Sequence, residues 1–82
     1  FVHAGLKPGV KLENQKLEDL IWIRDQFTAS DANHDYMVVH GHTIYDQPEI
    51  RPNRIGIDTG AYYSDRLTCL VLAGTQRYFI QT

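Results

Sequence analysis

At 82 residues the chain is one domain or part of one, and a fold of this size buries only about 60% of its unfolded surface, so its core is small. A net charge of −2 with mixed signs excludes the basic excess that nucleic-acid and membrane-surface proteins carry. The single Cys69 excludes an internal disulfide.

With Leu67, Leu70 and Val71 for neighbours, Cys69 reads as a small buried hydrophobe, which fits a reducing compartment. No run approaches the roughly 20 apolar residues of a membrane-spanning helix and no signal peptide is visible, so the expected location is cytoplasmic. The chain begins at Phe1, without an initiator Met and in what reads as the middle of a strand. It reads as a piece of a longer protein.

Residues 1–4 form an expected short buried strand, Phe1-Val2-His3-Ala4, and Gly5 to Gly9 a loop stiffened by Pro8. Val10 to Asn14 continue irregularly. From Gln15 a helical pattern begins, with Leu17, Leu20, Ile21, Arg24 and Phe27 near helical spacing and Glu18 and Asp19 at its amino end. Trp22 and Ile23 break the stripe, so this helix is buried on more than one side or interrupted there. Thr28 to Tyr36 is polar and turn-like.

Met37 to His40 is the expected central strand. Tyr45 to Glu49 is a loop holding Pro48, and Glu49 to Arg51 an edge strand before the Pro52-Asn53 turn. Arg54 to Asp58 is a strand running into Asp58-Thr59-Gly60. Arg66 to Ala73 and Gln76 to Gln81 read as a hairpin linked by Gly74-Thr75. The expected class is α+β, mostly strands with one main helix.

Three strands end in chemistry-bearing residues. Val38-Val39-His40-Gly41-His42-Thr43 carries a β-branched run into a sharp turn at Gly41 and presents an imidazole. Phe1-Val2-His3-Ala4-Gly5 repeats that pattern, and Ile55-Gly56-Ile57-Asp58 ends in a carboxylate. Ligands and metals collect at the carboxyl ends of strands in open α/β sheets. A lone His on an apolar strand is usually a satisfied core residue, but two beside glycine raise shared metal ligation as the reading for His3 and His42. His40 is the weaker candidate because it lies within the strand, and His34 in the polar loop is expected to be solvated. Arg24, on an otherwise apolar stretch, pairs with a buried carboxylate or meets an anion.

Other patterns fail on inspection. Asp31-Ala32-Asn33-His34-Asp35 mimics a calcium loop, but the sixth position is Tyr36 rather than Gly and the twelfth is His42 rather than Glu. Asp58-Thr59-Gly60-Ala61 resembles the active-site turn of retroviral-type aspartic proteases, yet too little chain follows for a flap and the two histidines gain no role. Asp58 hydrogen-bonding its own turn is the commoner arrangement. A two-His, one-carboxylate iron centre from His3, His42 and Asp58 requires a β-barrel, and a helix intervenes here.

Taken together the segments resemble the carboxyl-terminal portion of the calcineurin-like metallophosphoesterases, in the bacterial and phage-type serine/threonine protein phosphatase branch. Phe1-Val2-His3-Ala4-Gly5 is similar to that family's metal-binding His-Ala/Gly-Gly segment, and Gly41-His42-Thr43 to its metal-binding Gly-His-Thr segment. Leu20-Ile21-Trp22-Ile23-Arg24 is similar to its Leu-Trp-x-Arg segment, whose arginine holds phosphate. Ile57-Asp58-Thr59-Gly60-Ala61 followed by Leu67-Thr68 is similar to its closing strands. Ile44 stands where the wider superfamily places a second histidine, in agreement with the protein-phosphatase branch. Symmetrical dinucleoside tetraphosphate hydrolases share the pattern.

The resemblance implies the carboxyl-terminal part of a single four-layer αββα domain over residues 1–82. The amino-terminal half would be absent, with its Asp-x-His, Gly-Asp-x-x-Asp-Arg and Gly-Asn-His motifs. It implies phosphomonoester hydrolysis at two divalent ions, manganese first and iron or zinc as alternatives. His3 and His42 would ligate one ion, Arg24 would bind the phosphate, and Asp58 and His40 would stand behind the ligands. Tyr62 and Tyr63 would border the groove. The substrate would be a phosphoprotein or a phosphorylated small molecule, with no nucleic-acid or membrane partner. An isolated piece is expected to be inactive and to self-associate through exposed sheet edges. The competing non-enzymatic expectation is an interaction module that keeps the fold.

Overall fold

Val38 and Val39 favour extended backbone, and in the computed structural model, which describes all 82 residues, they open strand β1 (Val38–His40). Strand β2 (Glu49–Ile50) precedes β3 (Arg54–Gly56), and the three form one sheet in the order β1-β3-β2. β3 runs parallel to β1, pairing Val38 with Arg54, Val39 with Ile55 and His40 with Gly56. β2 runs antiparallel to β3. On the far side of β1 the first residues add a parallel bridge between Val2 and His40. Hydrogen bonds from Val2 N to Val39 O (3.0 Å) and from Gly41 N to His3 O (2.8 Å) hold that bridge. The amino-terminal segment is therefore a bridge rather than a full strand.

Between the bridge and β1 lie a 3-10 turn (Leu12–Asn14), helix α1 (Leu17–Trp22) and helix α2 (Asp25–Thr28). The expected single helix is interrupted at Ile23 and Arg24. Ile23 is extended, with φ −58° and ψ 143°, and Arg24 lies outside the helical region at φ −128° and ψ −110°. The break lets Ile23 and Phe27 both reach the core, where they pack with Ala4, Leu6 and Val38. Ala4 N donates to Leu20 O (2.9 Å) and ties α1 to the first segment. A continuous helix would carry Trp22, Ile23 and Arg24 round its surface in 100° steps, burying one at the expense of the others.

Helix α3 (Ala61–Ser64), which the sequence pattern does not announce, follows the Asp58 turn. Strands β4 (Thr68–Ala73) and β5 (Gln76–Gln81) then form a separate two-stranded sheet turning at Gly74-Thr75, as expected. The whole is a small α+β domain, and no helix is long and apolar enough to cross a membrane.

Two local expectations are corrected. Cys69 is exposed on β4 rather than buried, because alternation along the strand turns Thr68 and Leu70 inward and Cys69 outward. The His34 ring packs against Phe27 at 5.7 Å between centroids, with its Nε2 buried, rather than standing in solvent. The polar loop is drawn inward by Asn53, whose side-chain amide donates to Ser30 O (2.9 Å) and Ala32 O (3.1 Å).

Phe27 is fully buried, and a Cβ on Gly5 would lie 2.2 Å from its Cδ2. Gly5→Ala should therefore overpack the core and lower unfolding free energy by about 1–3 kcal/mol, read as a lower urea midpoint. An unchanged midpoint would contradict this packing.

Candidate functional site

Parallel pairing decides which residues meet. Because the first segment, β1 and β3 all run the same way, their carboxyl ends lie at one edge of the sheet, and those ends carry His3, His42 and Asp58. Ile57 N donates to His40 O (2.9 Å) and Gly41 N to His3 O (2.8 Å), which fixes the three ends side by side. They line an open cleft of about 400 Å³ together with Ala61, Arg66 and Leu67.

The His3 and His42 rings lie 5.0 Å apart between centroids, and Trp22 meets His42 nearly edge-on at 5.9 Å and 82°. His42 sits at φ +65°, a left-handed backbone rare for a residue with a side chain. Its Nε2 is buried with no hydrogen-bond partner. Burial lowers the His42 pKa, the charges of Arg24 and His3 lower it further, and Asp58 opposes them. A neutral imidazole with a free lone pair is the form that accepts a cation or a proton. His3 and Asp58 line the same cleft as His42, whereas Arg24 does not line it and reaches the imidazole only through its charge. The unpartnered nitrogen stands beside a second imidazole, that of His3, which makes two candidate ligands. No group of three or more His, Cys, Asp or Glu side chains is placed to hold a metal.

Asp58 does what its turn dictates: Oδ1 accepts from Gly60 N at 3.0 Å. The following Gly60, at φ +68°, admits the Tyr63 ring, whose Cε1 would lie 2.5 Å from a Cβ there. Tyr62 and Tyr63 are exposed on α3 and meet edge-on, 5.2 Å between centroids.

His40 lies on the opposite face of β1, 1% exposed, with its ring edge-on to Phe27 at 4.9 Å. It also borders the cleft, and its ring bonds the Gly41 backbone. Arg54, also 1% exposed, places Nη1 3.1 Å from His40 Nε2, and Nη2 donates to Glu49 Oε1 (2.7 Å) and Thr28 O (3.1 Å). A guanidinium only donates, so His40 Nε2 must accept. The ring proton is then on Nδ1, which donates to Gly41 O at 3.1 Å. A chain of donors thus runs from Arg54 through His40 to the peptide that holds His42 in its left-handed conformation. Arg54 and Glu49 are the participants that motif reading missed. The available signal was a lone Arg in a β run beside Ile55, with Glu49 and Tyr45 nearby to pair with it; the Tyr45 ring centroid lies 5.6 Å from Arg54 Cζ.

Comparison with protein-family models, with curated proteins and with solved structures gives no match in any of the three.

Two predictions follow from the Arg54 cluster. Imidazole nitrogen shifts should show His40 as the Nδ1–H tautomer, and Arg54→Met should leave the proton on Nδ1, where Gly41 O still accepts it. Finding Nε2–H in the unaltered chain would break the donor chain. Stability should also fall in acid. Burial lowers the His40 pKa below 6.5, a shift that Arg54 reinforces and that Gly41 O and Glu49 oppose. Below 6.5 the unfolded chain therefore binds a proton that the folded chain refuses, until pH reaches the folded value. Burial raises the Glu49 pKa, but hydrogen bonds and charge from Arg51 and Arg54 outweigh it and hold it below 4.5. Its stabilisation is present above 4.5 and is lost as pH falls toward the folded value. Urea midpoints measured downward from neutral pH should drop first near 6.5 and again below 4.5, and His40→Gln should remove part of the first step.

Proposed function

We propose that this chain is the carboxyl-terminal part of a calcineurin-like metallophosphoesterase domain whose activity is hydrolysis of phosphomonoesters on phosphoproteins. The observation that carries the reading is the buried, partnerless Nε2 of His42, set beside the His3 ring at the sheet edge that also carries Asp58. The resemblance of the sequence segments supports the same reading, since His3, His42 and Asp58, far apart in the chain, meet at one sheet edge. The four-layer sandwich and a cytoplasmic location belong to the same proposal.

In this reading His3 and His42 would hold one of two divalent ions, manganese foremost. When bound, the pair supplies an acidified water and neutralises phosphate charge. Arg24 binds the substrate, its guanidinium offering charge-assisted bonds to phosphate oxygens that strengthen as charge develops there. Asp58 ties down the turn at Gly60, and its negative charge favours cation capture at His42. His40, held by Arg54, keeps the Gly41 carbonyl fixed and so orients the His42 ligand atom.

A second reading, a non-enzymatic interaction module, has its own support. Tyr78 and Ile80 on one face of the hairpin are each more than half exposed, as is Leu67 near its base.

The deciding assay takes the longer protein that the first reading requires and measures p-nitrophenyl phosphate hydrolysis with manganese, beside His42→Asn and Arg24→Ala. Both variants should lose at least a hundredfold in kcat/KM, about 2.7 kcal/mol of transition-state stabilisation, and only the histidine variant should lose bound metal. An inactive protein, or an unaffected His42→Asn, would favour the interaction module. The 82-residue chain alone should bind manganese weakly and show no chelator-sensitive turnover.

A further inference from the structure

Arg66 is the only arginine or lysine that lines the cleft at the sheet edge, and it shares that cleft with His3, His42 and Asp58. Its backbone is pinned from both sides. Arg66 N donates to Ser64 Oγ (3.0 Å), and the buried Thr59 donates through Oγ1 to Arg66 O (2.7 Å). One hydrogen bond steers the guanidinium, Nη1 donating to Asp46 O at 2.6 Å. No carboxylate neutralises it, because the two ion pairs of the molecule both belong to Glu49, with Arg51 and Arg54. Asp58 lines the same cleft without pairing with Arg66, and its Oδ1 accepts from Gly60 N instead.

A clamp on the Asp46 carbonyl accounts for only part of this arrangement. One carbonyl engages one donor of a guanidinium, whose planar fork keeps further N–H groups for a second acceptor. Arg66 is half-buried, so its charge has lost part of its water without gaining a counter-ion. An anion brought by a ligand fills both needs with charge-assisted bonds.

Resting on the phosphatase reading, we propose that Arg66 is a specificity-determining residue that selects phosphorylated segments with an acidic residue beside the phosphorylated one. On that reading the phosphate to be hydrolysed belongs at His3 and His42. Arg66 takes a carboxylate of the same peptide in a two-pronged contact that a neutral neighbour cannot make. The apolar wall of Val39, Ile57 and Leu67 receives the peptide's aliphatic atoms. A half-exposed pair of this kind favours the acidic segment by roughly three- to tenfold in affinity, and added salt weakens it.

The test titrates the 82-residue chain, with zinc in place of paramagnetic manganese, and follows the Arg66 Nε–H and the His3 and His42 amides by NMR. The peptides are blocked at both ends and carry one phosphoserine among alanines, flanked on both sides by glutamate or on both sides by glutamine. A third peptide has the glutamate flanks and an unphosphorylated serine. The glutamate phosphopeptide should bind roughly three- to tenfold more tightly than the glutamine one and shift the Arg66 Nε–H further. Arg66→Gln should remove that preference while the glutamine phosphopeptide binds as before. Arg66→Lys, which keeps the charge and loses the fork, should keep part of the preference. The unphosphorylated peptide should bind more weakly than its phosphorylated counterpart.

Equal affinities for the two phosphopeptides overturn the assignment, as does a glutamate preference that survives Arg66→Gln. A lower urea midpoint with the preference intact marks Arg66 as a clamp alone. If Arg66→Gln does not fold, the Arg66 Nε–H of the unaltered chain decides, since equal shifts with both phosphopeptides also overturn the contact. Equal binding of the unphosphorylated peptide overturns the phosphorylated class. If no phosphopeptide shifts His3 or His42, the phosphatase reading itself falls, an outcome distinct from equal binding with both histidines shifted.

Discussion

Parallel alignment of three short segments is the constraint on which the rest depends. The Val2 bridge, β1 and β3 are joined by only a handful of backbone hydrogen bonds, yet those bonds bring three strand ends to one edge. In an antiparallel arrangement His3 and His42 would stand at opposite ends of the sheet. Parallel strands need long crossovers, and that requirement accounts for the chain between Ala4 and Val38. The helices there cover one face of the sheet, and Phe27 beneath them supplies the floor on which His40 rests.

That floor includes an unusual component, a fully buried guanidinium. Removing Arg54 from water is costly unless its donors are paired, and the fold meets the requirement with a carboxylate, a carbonyl and an imidazole acceptor. One donor, Nε, is left without a partner, and the Tyr45 ring lies over the charge instead. A hydrocarbon at this position would pack at least as well. It would leave His40 Nε2 without its donor, so the guanidinium completes the polar network at His40 as well as filling space.

Much of this layout was legible in the sequence because it depends on local patterns. The runs ending in His3, His42 and Asp58 read as strand ends, and the parallel sheet brings them together. The Gly74-Thr75 hairpin and the Asp58 turn follow from residue type alone, and the stripe broken at Trp22 and Ile23 marks where the helix stops. What escaped depends on distant partners. Arg54 reads as an ordinary strand residue until Glu49, Thr28 and His40 are seen around it. Cys69 reads as buried from its neighbours, but which face of a two-stranded sheet meets the rest is a tertiary fact. His34 looks solvated until Asn53, far along the chain, pulls its loop against Phe27. Helix α3 is a single turn with no apolar period to announce it.

The hairpin shares no strand pairing with the three-stranded sheet. Its base is held by hydroxyl chemistry: Thr59 donates to Arg66 O (2.7 Å) and shares a 2.8 Å bond with Thr68, which accepts from Gln81 (2.9 Å). A joint of this kind, without strand pairing across it, is where local opening takes place at lowest cost. Opening there would free the hairpin's amides while leaving the backbone bonds that join the ends of the first segment, β1 and β3 in place. Amide protons of β4 and β5 would then exchange by local opening, and those of β1 and β3 only when the whole domain unfolds.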